Sequence, residues 1–353
     1  MLSRVNKLEA ALAQTDCDAV LVTNLKNIYY LTSFSGTEAT VFISKNRRIF
    51  LTDSRYTLIA KGVIKGFDII ETRDALSEIA KIIADDKIKT IGFDDEISYH
   101  SFKTLEELFS DYKLTAMTAF IENLRMIKDE GEIATIRKAC QISDQAFLDV
   151  LDFIKPGQTT ELQVMNFLDA RMRQLGASGA SFDFIIASGY RSAMPHGVAS
   201  EKVIQTGETL TMDFGCYYNH YVSDMTRTIH VGHVTDEERE IYDIVLRSNQ
   251  TLIEAAKAGM TRIEFDQVPR KVINDAGYGQ YFTHGIGHGI GLDIHEIPYF
   301  GKSSEPIEAG MVLTDEPGIY LDGKYGVRIE DDILITETGC ELLTLAPKEL
   351  IVI

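Results

Sequence analysis

Residues 210–226 read LTMDFGCYYNHYVSDMT: two apolar and aromatic runs separated by a polar step that suits a tight hairpin turn. With the turn centred on Tyr218 and Asn219, Tyr217 pairs with His220, Gly215 with Val222, and Asp213 with Asp224. Two carboxylates then stand opposite each other on one face. Like charges directly across a strand pair destabilise it, and Asp is a poor strand former in its own right. An isolated strand Asp more often faces solvent, but an opposed pair calls for something positive between the two acids.

The same device recurs in residues 314–331, TDEPGIYLDGKYGVRIED, where a loop centred on Gly323 places Glu316 opposite Glu330. These acids follow Asp213 and Asp224 by 103 and 106 residues, so the spacing predicts two helices-then-hairpin units, each presenting an acid pair to a shared cage. Between the hairpins lies HGIGHGIGLDIHE, residues 284–296. Its alternating glycines disfavour a helix and suit close backbone approach, so His284 and His288 do not form a helical zinc pair, and no His-Glu-x-x-His is present. Seven of the eight histidines fall between His196 and His295. His100, His220, His230 and His233 read as ordinary core or surface residues, whereas His288 sits among the acid motifs. Four carboxylates and one imidazole form a mostly hard ligand set, suited to two Mn2+, Co2+ or Zn2+ ions rather than to one closed structural zinc. Such an ion pair supports hydrolysis: it lowers the pKa of a bridging water, polarises the scissile carbonyl and stabilises the tetrahedral oxyanion.

The chain has 353 residues, more than the roughly 250–300 that one core usually serves. Up to about residue 120, strand candidates at 19–23, 40–44, 49–52, 67–71 and 90–93 alternate with helix-period segments at 5–14, 56–64, 76–84 and 102–112, which predicts a small α/β domain. A hairpin is expected across Lys45-Asn46-Arg47. From Lys128 a long helix is expected, then a second opened by the Thr160/Gln163 capping pattern and closed by Gly176, then strands at 181–187, 209–231 and 311–335 around a helical stretch at 236–277. This half reads as α+β. The domains are therefore drawn at 1–123 and 124–353. Apolar residues make up 45% and charged ones 25%, and the formal net charge is -18, so nucleic acid and anionic membranes are poor partners. With no run approaching the roughly 20 apolar residues of a membrane span, no signal-peptide core, and four scattered cysteines, the expected setting is the cytoplasm, with the thiols reduced.

The order Asp213, Asp224, His288, Glu316, Glu330, in the settings MDFG, SDMTR, GHGIG, DEPGIY and VRIED, resembles the dinuclear metallopeptidases of the pita-bread fold, over the chain from about residue 124 onward. The preceding Thr-Asp53-Ser-Arg55-Tyr56 stretch is similar to the creatinase-type N-terminal domain of their proline-specific branch. The resemblance implies those five residues as ligands of two divalent ions, manganese foremost with cobalt or zinc as alternatives. It implies Glu316 as ligand and proton shuttle, and Tyr320 and Arg328 as residues orienting Asp213. His196, His284 and His295 would contact the substrate, and Phe182 would wall the pocket for the residue before the scissile bond. His196 and His284 point to the proline-specific members rather than to methionine aminopeptidase. Tyr190-Arg191 departs from the small residue and Asn usual there. The implied activity is release of the N-terminal residue from Xaa-Pro peptides, most like the short bacterial aminopeptidase P, with Xaa-Pro dipeptidase as the alternative and a homodimer as the implied assembly. A non-catalytic pita-bread binding protein would have lost metal ligands and gained basic insertions. A metal-free creatine hydrolase would likewise not need all five ligands.

Overall fold

The computed structural model describes residues 2–84 and 86–353, and the chain divides into two compact units, 1–125 and 126–353. In the first, β1 (Ala19–Val22), β2 (Thr40–Ser44), β3 (Arg48–Thr52), β4 (Asp68–Glu71), β5 (Thr90–Phe93) and β6 (Lys113–Ala116) form one mixed sheet in the order β4-β3-β2-β1-β5-β6. It carries α1 (Leu2–Leu12), α2 (Leu25–Thr32), α3 (Thr57–Val63), α4 (Ala75–Ile83), α5 (Tyr99–Leu108) and α6 (Phe120–Arg125). The expected hairpin forms, with Thr40 opposite Leu51 and Ile43 opposite Arg48. Three elements escaped the sequence pattern. β6 is a half-exposed edge strand, α6 has six residues, and α2 is started by Asn24, whose side chain accepts from the amides of Lys26 and Asn27. The helix expected at 102–112 begins earlier, at Tyr99, because Ser98 caps it by accepting from the Ser101 amide.

The second unit is built twice over. Helices α7 (Glu130–Phe153), α8 (Glu161–Gln174), α9 (Asp236–Ala255) and α10 (Arg262–Asp275) each begin with a capping box: Asp129 with Glu132, Thr160 with Gln163, Thr235 with Glu238, and Thr261 with Glu264. Within each pair the chain turns at a left-handed glycine, Gly157 at φ 73° and Gly259 at φ 87°. The amides of these glycines donate to Ile204 and Ile307 respectively. The first pair is followed by β7 (Gly179–Ala180), β8 (Ile185–Ser188), β9 (Thr209–Phe214), β10 (Cys216–Tyr218), β11 (Tyr221–Val222) and β12 (Met225–His230). The second is followed by β13 (His288–Gly289), β14 (Glu296–Tyr299), β15 (Val312–Asp315), β16 (Gly318–Leu321), β17 (Tyr325–Arg328), β18 (Asp331–Ile335) and β19 (Cys340–Leu342). Each half buries its own core. Phe147, Val150 and Leu168 pack with Met212, Phe214 and Ile229 in one, and Val245, Leu252 and Phe265 with Leu313, Val327 and Ile333 in the other. Among the described residues no helix is long and apolar enough to cross a membrane.

The register of the first hairpin corrects the sequence expectation. Its turn is Asn219-His220, both at positive φ (46° and 73°), as a two-residue hairpin loop of the primed kind requires. Tyr218 therefore pairs with Tyr221, and Asp213 faces Thr226 rather than Asp224. The error is two residues, a full strand period, so both carboxylates stay on one face as diagonal neighbours. Asp224 falls in a break between β11 and β12, and its amide donates to the Asp332 carboxylate at 2.9 Å. In the second hairpin Asp315 faces Asp331 and Gly318 faces Arg328. One register thus runs on both sides of Glu316 and Glu330, which places those two opposite each other as expected.

Arg227 on β12 ties the halves together. It is 1% exposed, and its guanidinium donates to the carbonyls of Thr226, Glu330 and Ala346 and to Asp331. Removing one member of a buried, fully bonded ion pair typically costs about 3–5 kcal/mol. Arg227→Met should lower unfolding free energy by that order in denaturant titrations; a loss under ~1 kcal/mol would show that the pair does not hold the halves.

Candidate metal centre

The two hairpins bring their acid pairs together, and β13 adds an imidazole. Gly215, between β9 and β10, permits the close approach at the break, since a Cβ there would lie 1.9 Å from the Ser223 carbonyl oxygen. Ligand atoms of Asp224, His288 and Glu330 all lie within 4.8 Å of one another. His288 Nε2 is 3.7 Å from Asp224 Oδ2 and 3.6 Å from Glu316 Oε1. Its other nitrogen, Nδ1, lies 3.1 Å from the Gly289 carbonyl. A carbonyl can only accept, so Nδ1 carries the proton and Nε2 turns a lone pair into the centre. Burial, then neighbouring His295, pushes the His288 pKa down to about 4, which keeps that lone pair free at neutral pH.

The carboxylates are held in place from behind. Arg328 donates to Asp213 at 2.5 Å, to Thr226 Oγ1 at 3.0 Å, and to the Tyr320 hydroxyl at 2.9 Å. Thr226 Oγ1 in turn donates to Glu330 at 2.6 Å. Asp213 Oδ1 and Asp224 Oδ1 are buried with no hydrogen-bond partner, an expensive state for a carboxylate unless a cation is meant to face it. Burial raises Asp224 and Glu330 well above the carboxylate range, and their acidic neighbours push the same way. Burial lifts Asp213 despite Arg328 and takes Glu316 to about 8.

A charge count points the same way. Asp213, Asp224, Asp315, Glu330, Asp331 and Asp332 are buried and Glu316 partly so, while the cations among them are Arg227, Arg328 and Lys348. Counted as fully ionised, seven acids against three cations leave a formal excess of four negative charges, the charge two divalent ions would offset, and burial raising Asp224, Glu316, Glu330 and Asp332 shows how poorly the centre carries that charge without cations. Orphaned oxygens, a free imidazole lone pair and this excess all fit a pair of divalent metals held by Asp213, Asp224, His288, Glu316 and Glu330.

The four acids and the His288 imidazole share a cleft of about 550 Å3 with Phe182, His196, His284, His295 and Arg328. Tyr320 lies behind it, reaching Asp213 only through Arg328. His295 packs edge-on against His288, with ring centres 4.3 Å apart, and both His295 and His196 are exposed to an incoming ligand. His284 lines the cleft as well, and its ring is engaged by its own neighbours. Nδ1 lies 2.8 Å from the Gly285 carbonyl and Nε2 2.8 Å from the Tyr320 hydroxyl, so both ring nitrogens are already taken. Thr226 and Asp332 had no part in the expected site. Thr226 shares the face of Asp224 by strand period, a usable signal, whereas the reach of Asp332 to the Asp224 amide has none in sequence.

Comparison with known proteins agrees with this geometry. Residues 134–337 match the model of metallopeptidase family M24, and residues 4–127 match the creatinase/prolidase N-terminal domain. A solved Xaa-Pro dipeptidase from Bacillus anthracis is 44% identical, with TM-score 0.97, over 100% of this chain and 99% of that one. A solved X-Pro aminopeptidase from Thermotoga maritima MSB8 is 40% identical, with TM-score 0.91, over 98% of this chain and 100% of that one. The Xaa-Pro dipeptidase of Pyrococcus furiosus is 38% identical over 99% of this chain and the whole of its own length. The chain belongs to metallopeptidase family M24. It is a peptidase of the pita-bread fold with a creatinase-type N-terminal domain, and divalent metal ions go with that family.

The raised carboxylates set a sign. A group whose folded pKa lies above its unfolded value stabilises the fold below the unfolded pKa and loses that contribution as pH rises through the folded one. For Glu316 the window runs from 4.5 to about 8. Metal-stripped protein should therefore melt at progressively lower temperature across that range, and Asp224→Asn should flatten the fall. In the same variant divalent-metal affinity should drop roughly 100-fold, in line with loss of a ligand or its close support. A metal-stripped melting temperature that climbs with pH would contradict the assignment.

Proposed function

We propose that this protein is a metal-dependent Xaa-Pro dipeptidase, with Asp213, Asp224, His288, Glu316 and Glu330 holding two divalent ions. The observation that carries this reading is the near-complete match, in fold and length, to proteins named Xaa-Pro dipeptidase. The carboxylate-rich donor set favours hard ions, manganese first among them. When bound, such ions supply a Lewis acid for the scissile carbonyl and acidify the attacking water.

The chain's own residues do the rest. Glu316, with one oxygen facing His288 and the other 3.9 Å from His284 Nδ1, would take the proton of the attacking water and return it to the departing proline nitrogen. Arg328 fixes Asp213 and, through Thr226, Glu330, so that the acids keep their places while charge shifts. His295 and His196, with exposed rings at the cleft, would donate to the carbonyl oxygen and to the carboxyl side of the substrate. His284 would act through Tyr320 and Arg328 rather than by direct contact. Phe182, beside Ile185 and Val198, would wall the pocket for the residue before proline.

A second reading keeps the same chemistry on longer peptides, as in an aminopeptidase P. The overall motif wording favours it, and so does the Thermotoga relative named X-Pro aminopeptidase. Manganese-loaded enzyme tested on matched Xaa-Pro dipeptides and Xaa-Pro-Xaa tripeptides separates the two. The dipeptidase reading expects kcat/KM at least about tenfold higher on the dipeptide, a discrimination of roughly 1.4 kcal/mol. Preference for the tripeptide would hand the activity to the aminopeptidase reading.

A further inference from the structure

The segment between β8 and β9 carries His196 to the cleft, together with Pro195 and Val198. It is a long excursion with exposed apolar side chains, Tyr190 at 54%, Met194 at 47% and Val198 at 56%, and such a loop ordinarily moves. Here both of its ends close on one carboxylate. Glu161, the first residue of α8, has no side-chain exposure. Its Oε1 accepts from the Ser188 amide at 2.7 Å and the Ser188 hydroxyl at 2.8 Å. Its Oε2 accepts from the Ser200 hydroxyl at 2.6 Å, the Ser200 amide at 3.2 Å and Arg191 Nε at 3.0 Å. Arg191 then reaches across the loop, and its other nitrogen donates to the Val198 carbonyl at 2.6 Å. Arg328 donates to the Pro195 carbonyl at 3.2 Å, so the guanidinium that fixes Asp213 also touches the residue before His196.

We propose that Glu161 and Arg191 are positioning residues that hold the 189–200 loop as a fixed rim, so that His196 meets the substrate already in place. The five bonds to Glu161 satisfy a buried charge that would otherwise be costly, and Arg191 supplies both the counter-charge and the strut to Val198. A loop ordered in advance spares the substrate the entropy of ordering it on binding. Arg191, the departure from the motif expected in sequence, thus turns away from the reacting centre and works on the loop.

This inference rests on the Xaa-Pro peptidase reading, and two measurements keep the failures apart. In steady-state kinetics on an Xaa-Pro dipeptide, Arg191→Met should raise KM about tenfold, the size expected for one charge-assisted bond, with kcat within about twofold. Arg191→Lys should recover part of the loss. Because Arg191 acts through His196, the Arg191→Met/His196→Ala double variant should bind no more weakly than His196→Ala alone. Additive losses, or a fall in kcat with KM unchanged, would overturn the proposal. Hydrogen–deuterium exchange tests the loop without any substrate: Arg191→Met, and Glu161→Gln as a second variant, should exchange faster across residues 192–198 with α7 and α9 unchanged. Unchanged exchange in both would overturn it even if the enzyme is active, and wild-type enzyme inert on every Xaa-Pro substrate would fault the functional reading alone.

Discussion

Everything in the second unit answers to the mutual repulsion of carboxylates crowded into a place with little water. Acids on two hairpins face one another across a gap that Arg328 only partly compensates, and Asp213 and Asp224 each keep a buried oxygen with no partner. Unpaired buried charge is among the most expensive states a protein can adopt. Divalent cations held there would cancel that charge, while Arg227 and Lys348 neutralise the next layer, Asp331 among it. The same feature that would weaken the empty centre makes it a strong site for hard metals.

Duplication is how the chain builds that centre. Two capped helix pairs, two left-handed glycine turns and two hairpins present two acid pairs, and each half closes its own apolar core. The halves meet through polar contacts of high precision: Arg227 with the Glu330 carbonyl, Thr226 with the Glu330 carboxylate, and the Asp224 amide with Asp332. Of the proposed metal ligands, Asp213 and His288 lie on β9 and β13, while Asp224, Glu316 and Glu330 lie at the breaks between paired strands, and the rim beside the cleft is tethered to the N-terminus of α8. Catalytic geometry and substrate geometry are thus held by separate networks that touch at Arg328.

Much of this was legible in the residues themselves, for reasons that also mark where legibility ends. The four acids could be read because strand side chains alternate with period 2, so even a register wrong by two residues left Asp213 and Asp224 on one face. The capping pattern at Thr160 is a local signal, and that helix begins where the residue stands; the box at Asp129 emerged from the structure. The primed turn at Asn219-His220 was missed because no glycine marks it: His220 fills the second positive-φ position, where Asn-Gly or Asp-Gly would be the usual signal. The engagement of His284 by Tyr320, and of the Asp224 amide by Asp332, joins residues 36 and 108 positions apart, which no local pattern encodes. α2 and β6 were missed because one is short and the other is a half-exposed edge.

The claim that the excess charge is offset by two divalent ions is tested most directly by native mass spectrometry of the chain after equilibration with Mn2+. The account expects two ions per chain at full peptidase activity, with occupancy lowered when Asp224 or Glu330 is neutralised. Full Xaa-Pro hydrolysis with one ion or none would contradict it.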